Sequence, residues 1–302
     1  MTRSTSGFVY WLMGLTIALG SVANSASSAA IFNAGVTYSY DDNLSNGQLA
    51  GDIKGDHLLD LELSGGRYYQ LAPSLGLIIS AKLKATHYDS YGDLNSTSLG
   101  ASASLRKKFG LGPMAPMVNA SIDISHLDVQ HDPRDRWIYK AGLGIRKRLN
   151  PRLDLSVNYE HLETAPDHGG EDIPFLVNNF GIDGDVFDIR RDSLTAALVF
   201  SVTERLSAYG SYSRQQGTIV ASTLPDPALV SIYDKAMFDP VFGPGVVAYA
   251  IEADTDIFGA GLSWALNNHS SLNLGYERRD SEGDLNFTYA NNILRASLLY
   301  AF

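Results

Sequence analysis

Three histidines recur in like settings, Thr86-His87-Tyr88-Asp89, Ser125-His126-Leu127-Asp128 and Glu160-His161-Leu162-Glu163. A histidine near a hydroxyl and a carboxylate is the material of a hydrolase, because the imidazole takes the hydroxyl proton while the acid orients the ring. The spacing works against that chemistry here. Neighbours in an extended chain point to opposite sides, so Ser125 and His126 cannot share the hydrogen bond that a nucleophile and its base need. His131, His168 and His269 fall in loops or turns and His57 near a strand edge, with no metal-ligand spacing among them. The chain has no cysteine, which excludes thiolate metal sites and disulfides. No catalytic, cofactor or metal residue is assigned, and a lipid-modifying hydrolase is the least favoured reading. His87, His126 and His161 are read instead as outward residues beside lipid phosphates.

A second pattern is charge on one parity. Lys82, Lys84, Arg106, Lys108, Lys140, Arg146, Arg148, Arg191, Arg279 and Arg295 fall on the polar side of alternating segments, with Asp60, Glu62, Asp123, Asp154, Glu160 and Glu277. If that side is an interior, it is net basic, although the whole chain carries a formal charge of −10. The overall acidity argues against nucleic-acid binding. Rings of Lys or Arg select anions in pores, which points to a channel for a small anionic solute. The alternative is that Asp60 and Glu62 pair with Lys82 and Lys84 on the neighbouring strand and stabilise the wall without conducting anything. Ser102, Ser104, Gly142, Gly144, Gly259, Gly261 and Ser263 share the polar side and leave room for a narrow pore.

The segments between the alternating runs carry other signals. Residues 163–188 hold seven acidic residues and no Lys or Arg, and Asp41, Asp42, Asp52 and Asp56 crowd an earlier loop. Both are read as solvated, with calcium bridging to lipopolysaccharide as the sharper possibility. Asp41, Asn43, Ser45 and Asp52 match scattered positions of a calcium loop, but Asn46 stands where that loop needs glycine and its final glutamate is missing. Residues 215–255 combine Pro225, Pro227, Pro240 and Pro244 with many large apolar side chains that cannot all face water. Folding into the mouth of a barrel would make this segment a constriction or lid, the favoured reading; packing on a neighbour would make it an interface.

The elements that position these residues are strands. Leu59, Leu61 and Leu63 alternate with Asp60, Glu62 and Ser64, and the same period of two runs through 75–86, 153–160 and 272–277. About twelve such segments are predicted, at 30–40, 57–69, 75–88, 97–109, 117–129, 137–149, 153–162, 188–202, 206–214, 256–266, 272–280 and 287–302, with ten or fourteen also compatible. The connectors alternate between short turns and mostly longer loops. Short periplasmic turns facing long external loops are the habit of outer-membrane barrels, whereas a soluble sandwich does not sort its loops by side. The fold class predicted is therefore all-β, a transmembrane antiparallel up-and-down β-barrel.

Both ends fit that class. Residues 1–29 read as a cleaved signal peptide, with Arg3, the apolar run Phe8–Gly20 and a small-residue stretch ending at Ala30; the run is short for a membrane-spanning helix, which needs roughly 20 residues. Residues 30–302 would then form the barrel. The chain finishes as ILRASLLYAF, with Leu294, Ala296, Leu298, Tyr300 and Phe302 on one face. Tyr300 and Phe302 would sit in the periplasmic aromatic girdle and serve as the signal read by the barrel-assembly machinery.

Several stretches, YSYDDNLSNG (38–47), KKFGLGPMAP (107–116), DPRDRW (132–137), DVFDIRRDSLT (185–195) and SLNLGYERRD (271–280), together make the chain resemble an uncharacterised family of proteobacterial outer-membrane β-barrel proteins. The resemblance implies the barrel and no particular activity. The expectation is thus a porin-like small-solute channel in the outer membrane of a Gram-negative bacterium, with a basic lumen and a long, partly occluding external loop. Its partners would be membrane lipid, lipopolysaccharide and the assembly machinery. A plugged structural or adhesive barrel working through its acidic loops is the alternative.

Overall fold

Alternation between lipid-facing and inward residues builds almost every element. The computed structural model describes residues 30–225 and 230–302; the predicted signal peptide lies outside the described residues. The strands are β1 (Ala30–Asp41), β2 (Asp56–Ala72), β3 (Leu75–Tyr88), β4 (Ser96–Lys108), β5 (Met117–Val129), β6 (Arg136–Asn150), β7 (Leu153–Pro166), β8 (Arg190–Ser201), β9 (Leu206–Thr223), β10 (Lys235–Phe238), β11 (Val247–Ala265), β12 (Ser270–Gly283) and β13 (Thr288–Ala301). Twelve of them close an antiparallel barrel: β1 to β9 follow in order, β11 pairs with β9, then β12 and β13 follow, and β13 returns to β1. In β2, Leu61 is 49% exposed while its neighbours Asp60 and Glu62 are each 8% exposed. Apolar side chains thus face outward and charges inward, the reverse of a soluble protein and the arrangement a lipid surround requires.

The connectors sort by side. Two residues separate β2 from β3 and two separate β6 from β7, at the end where β1 starts and β13 finishes. The opposite, external end carries 42–55, 89–95, 130–135, 167–189, 224–225 and 230–246.

The segment predicted as a long loop over 215–255 is corrected by the structure. β9 continues to Thr223 and β11 begins at Val247, paired in unbroken register from Trp264↔Leu206 to Val247↔Thr223. Beyond the end of β12, the other edge of β11 is taken by β10, in pairs from Lys235↔Ala250 to Phe238↔Val247. The reason the strands escaped the period-two reading is physical. Residues 219–223 and 247–251 are buried without alternation, because protein rather than lipid covers both faces.

This extension folds over the barrel mouth as a lid. Val241, Phe242 and Val246 at its tip pack against Leu44, Leu58, Tyr88 and Leu94 on the far wall. Val220, Met237, Ala248 and Ala250 pack against Leu162, Val186, Phe187 and Ile189. A short helix, α1 (Pro174–Phe180), ends at Gly181 in the left-handed region (φ 70°) and contributes Leu176 to a cluster with Ile219, Tyr233, Tyr249 and Phe287. Inward positions near the external rim, such as Leu58, Tyr88 and Leu162, are therefore apolar where deeper ones are charged.

Candidate functional site

Below the lid the lumen holds a cavity of about 400 Å³. Its charged lining comprises six basic residues, Lys82, Arg106, Lys140, Arg146, Arg191 and Arg279, and four acidic ones, Glu62, Asp123, Glu160 and Glu277. Ser102, Ser104 and Gly142 line it too, as do Asn119, Asn158 and Tyr209. Tyr209 had no mark in the sequence; its phenol lies where a Cβ at Gly261 or Gly275 would fall, so these glycines make room for a ring rather than for solute.

The remaining charged residues of the inward set lie off the cavity. Lys84 pairs with Asp60 at 2.9 Å, and Thr86 donates to the same carboxylate at 2.6 Å. Asp154 takes both Arg146 and Arg148 at 3.3 Å. Glu277, only 1% exposed, accepts from Arg279 at 2.5 Å and from Arg295 at 3.0 Å. Lys108 is exposed at the end of β4. Lys82 on β3 reaches across β4 to Asp123 on β5, at 3.9 Å. Among the described residues, Arg106 and Arg191 form no ion pair. The interior thus contains both cross-strand pairs and cations that no carboxylate neutralises.

A latch holds the lid tip. Asp239, fully buried, forms an ion pair with Arg134 and accepts from Ser222 Oγ at 2.7 Å. Arg134 comes from the loop between β5 and β6, is 1% exposed, and lies 5.1 Å from the Phe187 ring centroid and 5.9 Å from that of Phe242. Burial pushes the Asp239 carboxyl upward, but the Arg134 guanidinium and the hydrogen bond from Ser222 outweigh it and hold the group below the usual carboxylate range. His131 Nε2 faces the other Asp239 oxygen at 3.8 Å, too far for a hydrogen bond. Burial, aided by Arg134, lowers the His131 pKa. Arg134 and Asp239 are 105 residues apart and both lie outside the strands, so no periodicity could have joined them.

The acidic loops are corrected in part. Asp41 and Asp56 are buried rather than solvated. Asp56 accepts from the backbone amides of His57, Ser90 and Tyr91, and Asp41 from Asn43 N and Asn291 Nδ2. Asn43 and Ser45 donate to Gly47 O, Ala290 O and Asp52 O, and Asn46 adopts φ 54°. The positions resembling a calcium loop are thus spent on internal hydrogen bonds. Among the described residues, no group of three or more His, Cys, Asp or Glu could hold a metal ion.

The three histidines face outward. His126 contacts Asp167 at 2.5 Å and the edge of Trp137, and His161 contacts Asp192 at 2.9 Å, which also accepts from Tyr159 at 2.6 Å. Ser125 is buried on the opposite face.

A closed antiparallel barrel with an apolar outer surface, a charged interior and its long connectors on one side is a transmembrane barrel of the outer-membrane type. The chain belongs to the outer membrane protein beta-barrel domain family, whose model matches residues 13–189, and its place is the outer membrane of a Gram-negative bacterium. Its structure is similar to the crystal structure of an outer membrane channel from Pseudomonas putida F1, 15% identical, with a TM-score of 0.56 over 93% of this chain and 100% of the other. It is also similar to KdgM porin in complex with disordered oligogalacturonate (10% identical, TM-score 0.47, 91% and 99% covered) and to NanC porin (8%, 0.48, 88% and 98%). No curated protein matches the chain in sequence.

Proposed function

We propose that the protein is a lidded outer-membrane channel for small solutes that favours anions, and not an enzyme. The observation that carries this reading is the polar lumen cavity, with six basic against four acidic side chains. Positive charge lining a narrow, water-excluding passage attracts anions and repels cations. The lid rests on buried apolar contacts, so it keeps resting conductance low. Outward aromatic residues at the two rims, among them Trp137, Tyr139, Trp264 and Tyr300, meet lipid and lipopolysaccharide. In the same reading residues 1–29 direct export, and Tyr300 with Phe302, whose rings pack at 4.8 Å, present the signal to the assembly machinery.

Planar-bilayer recordings test the channel. Replacing Lys82, Arg106 and Arg146 with Glu changes the lining from six basic and four acidic residues to three and seven, and should turn anion preference into cation preference. Absence of conductance in the wild type and in a variant lacking residues 226–245 would overturn the reading and leave a plugged, adhesive barrel.

A further inference from the structure

We infer that the closed upper end of the lumen, beneath the lid, is a binding site for an oxyanion group, carboxylate, phosphate or sulfate, held by Arg191 and Arg279. The inference rests on the channel reading only for the route by which the anion arrives.

Arg191 stands near the start of β8, is 9% exposed and lines the cavity. Its Nε has no hydrogen-bond partner, and no ion pair to its guanidinium is found among the described residues. Its charged neighbours are Arg136, Arg279 and Glu160, two cations and one carboxylate. Arg279, from β12, lines the same cavity and is 8% exposed. Its Nε and one terminal nitrogen both go to a single oxygen of Glu277, and the second oxygen is taken by Arg295. The single negative charge of Glu277 is thus shared by two arginines, and it forms no ion pair with Arg191. Arg136, 2% exposed, donates to the Arg134 carbonyl at 2.7 Å, and its Nε is also without a partner.

A guanidinium cannot relieve burial by losing its proton, as a lysine can. An unpaired one next to other cations in a water-poor pocket is strongly unfavourable unless something anionic completes it. Glu160 also lines the cavity, but among the described residues it forms no ion pair with Arg191. The planar donor fork of Arg191 suits two oxygens of one oxyanion, and Arg279 supplies a second positive charge. Ser193, Ser213 and Gln215 add neutral polar groups along the same wall, fit for the hydroxyls of a small metabolite. An anion here would sit where the lid excludes water, and there its attraction to the arginines is greatest.

The full-length protein in detergent micelles is titrated with sodium phosphate, sodium sulfate or sodium succinate against sodium chloride at constant ionic strength, following thermal unfolding and titration heat. The wild type should show a saturable rise in its unfolding midpoint with at least one of the three. Phosphate and sulfate alone would identify an inorganic-type anion, and succinate a solute-borne carboxylate. Arg191→Gln should weaken apparent binding at least tenfold, Arg191→Lys should recover only part, and Lys108→Gln should change nothing. Without added anion, Arg191→Met should unfold no earlier than the wild type, because it removes an uncompensated charge. No saturable shift with any anion, an equal shift in Arg191→Gln, or a variant that folds poorly would each overturn the site. Binding without conductance would remove the channel and keep the site; conductance with no binding would do the reverse.

Discussion

Asp239→Asn is the sharpest test of the lid. The substitution keeps the size of the side chain and its hydrogen bond to Ser222, but leaves the buried Arg134 facing a neutral amide. Removing one partner of a buried pair costs ~3–5 kcal/mol, a factor of roughly 10² to a few times 10³ in the equilibrium between open and closed lid. The contacts of Val241, Phe242 and Val246 remain, each worth ~1.5–3 kcal/mol, so the lid should loosen more often rather than leave the mouth. Amide hydrogen exchange in micelles reads this directly. Amides of 247–251 should exchange about a hundredfold faster or more, while those in the middle of β4 and β5 stay unchanged. In bilayers the same variant should show brief openings more frequently. Exchange in 247–251 indistinguishable from the wild type, or equal acceleration of β4 and β5, would refute the latch. Replacing both partners, as Arg134→Met with Asp239→Leu, should restore much of the protection, because the orphaned charge is gone.

Two further outcomes follow from particular residues. His131 has a lowered pKa in the closed lid, so it contributes nothing above its ordinary value of 6.5 and destabilises closure as pH falls below it, because the open state binds the proton better. Lid amides should therefore lose protection as pH falls from about 6.5 towards 5, and His131→Asn should flatten that part of the profile, as exchange corrected for intrinsic rates would show. Leu143, at the middle of β6 and 59% exposed to lipid, should tolerate Arg poorly, with a loss of ~2–4 kcal/mol in denaturant unfolding from vesicles.

The barrel was legible in the sequence because lipid on one side and polar groups on the other force a period of two. That signal fails where the surround changes. Residues 219–223 and 247–251 are strands with protein on both faces, so they looked like a loop rich in apolar residues. Charge partners were half legible: Asp60 and Glu62 were expected beside Lys82 and Lys84, and Asp60 does pair with Lys84, but Lys82 turns to Asp123. Side-chain reach across a curved wall selects among neighbours that parity leaves equivalent. Asp41 and Asp56 looked solvated because composition does not reveal which backbone amides an aspartate will cap.

The cover of the mouth grows out of the wall itself, through the continuous pairing of β9 with β11. Where wall becomes cover, Ala253 lies between Gly217, at φ 124°, and Gly283, a row of small residues across three strands. A flap that shares its hydrogen-bond ladder with its frame does not swing as a free arm. For it to open, the ladder would have to bend at that row, and the bend would load the staves on either side with shear.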